Sequence, residues 1–127
     1  CVRFSYVPAG SMTPRRYRCQ PQLEADARTA ALRAAALPGV PAAGAEAAIR
    51  SEVTALIRPL FVARDYGDPG FGQLELRCPA QIRTGAQSGA EMGAFEFLRQ
   101  PQREANLRDA LAEYLRFGLE AGVLFVN

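Results

Sequence analysis

Ile49, Val53, Leu56, Ile57 and Leu60 fall at i, i+4, i+7, i+8 and i+11 of one stretch. On a helix of 3.6 residues per turn they form a single apolar stripe, and such a stripe must be covered by other parts of a fold. The spacing predicts a helix from about Ala45, ended or kinked near Arg58 because Pro59 removes a backbone donor. A second helical pattern comes after Pro101, which suits a first turn. Leu107, Ala110, Leu111, Tyr114, Leu115 and Gly118 keep the helix period to about residue 120, and Gly122 is a natural stop. Within it, Glu104–Arg108 and Arg116–Glu120 stand four residues apart, each pair contributing about 0.3 kcal/mol. A third helix, Gln22 to Leu37, begins after Pro21 and stops at Pro38-Gly39. Its apolar side is mostly alanine, which allows close approach but buries little area. Residues 38–44 read as a linker.

The remaining ordered stretches alternate with a period of two. Val2, Phe4 and Tyr6 alternate with Arg3 and Ser5, and Tyr17 and Cys19 alternate with Arg16 and Arg18. Pro8 to Pro14 supplies turn residues between them, so the two runs predict a hairpin with one arginine-bearing face. Gln73 to Arg77 reads as a short strand after the turn-rich segment 65–72, and Val123 to Val126 as a final buried strand. The expected fold is therefore one α+β domain spanning 1–127. It has a small antiparallel sheet with two to three packed helices. The expected core is Val2, Phe4, Tyr6, Ile49, Val53, Ile57, Leu60, Leu107, Leu111, Tyr114 and Val123.

Charge is uneven along the chain. Arg3, Arg15, Arg16 and Arg18 precede every acid; from Glu24 onward eleven arginines face thirteen acids. The start carries +4 and the remainder −2. A four-arginine patch can hold a phosphate or a carboxylate-rich partner. The competing reading is a solvated strand face paired with acids of the later helices. With a total of only +2, a nucleic-acid partner has little support from bulk charge.

The chain has no histidine and no lysine. That removes histidine-based nucleophile pairs, lysine Schiff bases and histidine zinc sites. Arginine and alanine dominate as they do in GC-rich genomes. Cys1, Cys19 and Cys78 form no Cys-x-x-Cys pair and no disulfide framework, so buried free thiols are expected. No apolar run reaches a membrane span, and no signal peptide is expected within this segment.

The residual chemistry is thin. The glycine loop 85–93, with Gly85, Gly89 and Gly93, lacks the ending of a phosphate-binding loop and reads as a mobile surface loop. Asp65 and Asp68 lack a calcium ligand series and fit turns. Glu91 and Glu96 are a candidate acid pair whose spacing fixes no geometry. Cys1-Val-Arg-Phe resembles the opening of N-terminal-cysteine amidohydrolases, and a chain from Cys1 to Asn127 resembles an intein. The first class needs a two-layer sheet core, and the second is nearly all β and uses histidines. No turnover, cofactor or metal is expected. The alternatives are a small hydrolase using Cys1 or carboxylates and an arginine-patch nucleic-acid binder.

Three stretches together carry a wider likeness. They are Cys1-Val-Arg-Phe-Ser-Tyr-Val-Pro8 through Thr13-Pro-Arg-Arg-Tyr-Arg-Cys-Gln-Pro21, then Tyr66-Gly-Asp-Pro-Gly70, then Gly89-Ala-Glu-Met-Gly-Ala-Phe95 with Gln100–Leu107 and Glu113–Gly122. The chain resembles the C-terminal segment of large bacterial β-helix-like proteins associated with phage-tail-like and contractile injection gene clusters. The resemblance implies a non-catalytic structural or attachment module that engages protein partners or the rest of its own longer chain. It implies assembly in the cytoplasm and a place in a released particle, and it fits a chain that opens on a strand without an initiator Met. It brings no catalytic residues.

Overall fold

The computed structural model describes residues 1–35 and 43–124. Among these the chain forms four α-helices and a two-stranded parallel sheet, a mixed α+β fold. Helices α1 (Gln22–Ala35) and α2 (Ala43–Leu56) lie against each other. The alanine side of α1 permits this approach, and Ala25 is buried at the contact. Charge fixes the pair at its rim. The Arg33 guanidinium donates from Nε to Glu46 Oε1 at 2.6 Å and from Nη2 to Oε2 at 2.8 Å. Those hydrogen bonds hold the Glu46 carboxyl below the ordinary carboxylate value. Arg28 bridges Glu24 on its own helix, at 2.8 Å, to Glu52 on α2, at 3.4 Å.

The core forms where α2 meets α1 and the short helix α3 (Ala80–Arg83). Val53 and Ile57 cluster with Ala25, Ile82 and Cys78, and Tyr6, Ile49, Leu74 and Met92 pack around them. Val53 and Ile82 are wholly buried. Each such side chain stabilises the fold by about 1.5–3 kcal/mol.

The sheet departs from the expected antiparallel hairpin. Strands β1 (Val2–Arg3) and β2 (Arg16–Tyr17) run parallel, with Val2 beside Arg16 and Arg3 beside Tyr17. The intervening residues 4–15 permit it, since about a dozen residues suffice for a crossover. The register persists beyond the strands, since Tyr6 bridges Gln20 in the same parallel sense. Between the two contacts, Phe4 (φ 45°) and Arg18 (φ 50°) both take the left-handed region. They stand at matching positions of the two segments, so both chains kink together and each strand ends after two residues.

Other expectations are corrected. Residues 73–77 form no regular strand; Leu74 makes a single antiparallel bridge to Phe61. Helix α2 stops at Leu56, so Leu60 lies beyond it, and both Leu56 and Leu60 are exposed. Helix α4 (Gln100–Tyr114) ends before residue 120 and has no buried residue. Leu107 is 46% exposed and Tyr114 88%, so neither belongs to the core. Val2, Phe4, Leu111 and Val123 are only partly buried. The physical reason is common to these differences: periodicity shows that a face is apolar but not that a partner surface exists to cover it. Residues 121–124 are irregular, and the rest of the expected final strand, like Leu37 and much of the expected linker, lies outside the described residues.

Candidate functional site

The segment after the core helix builds a concavity lined by both apolar and charged residues. Pro79 opens α3, and Ile82 of that helix anchors the next stretch of chain by accepting a backbone hydrogen bond from Met92 at 2.8 Å. The intervening loop closes on itself through Ala86 N–H to Ala90 O at 3.0 Å. Gln87, Ser88, Gly89 and Gly93 are exposed, as expected of a surface loop, but Ala90 and Glu91 between them are buried. Gly85 is required by close approach: a side chain there would collide with the Gln81 carbonyl and the Met92 thioether.

This packing brings the 91–104 segment opposite residues 62–77 and encloses a cleft of about 580 Å³. Leu74, Phe95, Leu98 and Leu107 give it apolar walls. Six charged residues also line it: Glu75, Arg77, Arg83, Glu91, Arg103 and Glu104. Arg83 joins the walls. Its Nη2 donates to Glu104 Oε2 at 2.7 Å and its Nη1 to the Leu76 carbonyl at 3.0 Å. Glu104 also accepts from Arg108 at 2.9 Å, the expected four-residue pair, and so ties the first turns of α4 to α3. Arg77 pairs with Glu75 at 2.9 Å.

Glu91 is the exception to this pairing. It is 5% exposed, and its Oε1 has no hydrogen-bond donor among the described residues. Burial pushes its carboxyl above the ordinary carboxylate value; the Phe95 backbone N–H and the Arg83 charge offset part of that effect. Gly93 stands beside the same oxygen, where a methyl group would come within 3.1 Å of Oε1.

The residues singled out from the sequence are only partly gathered. Glu96 accepts from the Ser88 hydroxyl at 2.6 Å and does not line the cleft with Glu91. Cys1 is exposed at the start of β1, unlike the buried Cys19 and Cys78, and it too stands outside the cleft. Burial raises the Cys78 thiol, which keeps it protonated. Asp65 and Asp68 share a turn, with Asp68 N–H donating to Asp65 O. Among the described residues no three potential ligands cluster for a metal ion.

The four early arginines are divided. The parallel register sets Arg3 beside Tyr17, with its guanidinium 4.9 Å from the ring centre, while Arg16 is beside Val2 on the other face. Arg16 is tied down by Thr13 Oγ1 at 2.7 Å and Ser11 O at 2.6 Å. Arg15 and Arg18 are exposed. No carboxylate pairs with any of the four among the described residues. The contact between Arg83 and Glu104 has no signature in the sequence, since residues 21 apart share no local pattern.

No family model matches the chain, and neither a curated protein nor a solved structure is similar to it at a meaningful level.

Proposed function

We propose that this chain is a non-catalytic assembly or attachment module, docking protein partners or the rest of a longer bacterial polypeptide, with a phage-tail-like particle as the setting. One observation carries the reading. Among the described residues helix α4 is tied to the rest near its start, and large apolar residues along and beyond it are uncovered: Leu107, Tyr114, Phe117, Leu119 and Leu124 are all exposed. A succession of exposed large apolar groups marks an interaction surface more often than a solvated face. The two-stranded parallel ladder supports the same reading, since its unpaired edges suit continuation by a neighbouring strand.

A small hydrolase is the second reading, favoured by the buried Glu91 carboxyl in a cleft. It lacks support for a second reacting group, because Cys1 and Glu96 stand outside that cleft. A nucleic-acid partner would rest on the arginines that the register divides.

The test is co-expression with tail and baseplate proteins of such a particle. The reading expects co-purification that is lost in Leu107→Asp/Tyr114→Ser while the variant remains folded by circular dichroism. Unchanged co-purification by the variant, or none by the parent chain, contradicts it. Binding to duplex DNA that weakens steeply with salt and is lost in Arg15→Ala/Arg18→Ala would favour the nucleic-acid reading instead.

A further inference from the structure

We propose that the cleft between residues 62–77 and 91–107 is a binding site for a small zwitterion. Its ammonium group would face Glu91, its carboxylate Arg103, and its hydrocarbon body would lie between them. This goes beyond the docking surface of α4, with which the cleft shares Leu107 alone.

Charge balance within the cavity selects this class of ligand. Arg77 and Glu75 close on each other, as do Arg83 and Glu104. These four cancel, and their charges are engaged within the protein. Two charged residues lining the cleft have no ion-pair partner among the described residues: Glu91, buried, and Arg103, exposed. A buried carboxyl that lines a cleft without an ion-pair partner is stabilised when a cationic group is brought beside it. A ligand carrying only a positive charge would satisfy Glu91 but add to the unpaired guanidinium. A ligand carrying only a negative charge would satisfy Arg103 and oppose the carboxyl. A ligand with both charges leaves the cleft neutral.

Shape and surface point the same way. The volume of about 580 Å³ lies in the range of small-molecule sites. Leu74, Phe95, Leu98 and Leu107 offer apolar contact to the body of such a ligand.

The probe is 6-aminohexanoate, compared by titration calorimetry and by amide chemical shifts with hexylamine and with hexanoate. The expected result is binding of 6-aminohexanoate at least about tenfold tighter than of either analogue, as hydrogen bonds to charged groups provide. Glu91→Gln should abolish its advantage over hexanoate, and Arg103→Gln its advantage over hexylamine. The exposed Arg103→Gln change keeps the test decisive even where Glu91→Gln alters folding. The proposal is overturned by a probe that binds no tighter than both analogues, by shifts that map outside the cleft, or by Arg103→Gln retaining the full preference. Absence of binding at millimolar concentrations overturns it equally.

Discussion

Glu91 shows how one residue's chemistry depends on packing that its neighbours in sequence do not announce. Its carboxyl is buried because the chain turns back at Gly89 and lays Ala90 and Glu91 beneath the loop, with Met92 bonded to α3. Burial raises the value at which it ionises above the ordinary 4.5. Well below pH 4.5 both folded and unfolded chains hold the proton. Above it the unfolded chain releases its proton first, so this group's contribution to stability falls as pH rises through the folded value. Glu91→Gln removes the dependence. Urea unfolding should find the variant more stable than the parent at pH 7, with the difference shrinking as pH falls through the ordinary carboxylate value. A constant difference across that range would place the effect elsewhere. Glu46 has the opposite sign: its carboxylate is stabilised by Arg33, so its contribution fades on acidification below 4.5. In the sequence Glu91 and Glu96 are equivalent candidates; burial separates them, and burial of a polar loop residue has no periodic signature.

Among elements, legibility tracked the source of each signal. The α2 stripe was readable because Val53 and Ile57 repeat with the helix period and do enter the core. The start of α1 was readable from Pro21 and the alanine-rich run after it. Helix α4 was also readable as a helix, but its covering was not, because burial belongs to two surfaces and the sequence pattern describes one. Strand direction failed for a related reason: residues 4–15 permit either sense, and alternation cannot distinguish them. Helix α3 left no mark in the sequence because four residues hold no period, although its Ile82 is wholly buried. Mutation separates the two kinds of apolar residue. Ile82→Ala should cost about 2–5 kcal/mol, the range for emptying a closed core position. Tyr114→Ala should change stability by no more than about 0.5 kcal/mol in the free chain. Denaturant midpoints for the two variants check this, and a comparable loss in both would mean that α4 is packed after all.

At the scale of the whole molecule, the described residues divide into a core that is covered and a C-terminal portion that is not. Helices α1, α2 and α3 share buried side chains, whereas α4 is joined to them chiefly through Glu104 and Arg83 and through the Gln102 side chain, which donates to Ser88 O at 3.3 Å. No helix of the described residues is long and apolar enough to cross a membrane, so lipid burial of a spanning helix does not account for the uncovered side of α4. A protein surface is the covering we propose, and the cleft that Leu107 helps to line is a smaller recognition site at its border. The measurement that bears most directly on the docking reading is amide hydrogen exchange across Gln100–Tyr114, in the chain alone and in its assembly with tail or baseplate proteins. The account predicts fast exchange in the later turns of α4 when the chain is free and slowing by at least about tenfold on assembly, with the 49–57 core unchanged. Equal exchange of α4 in both states would contradict it.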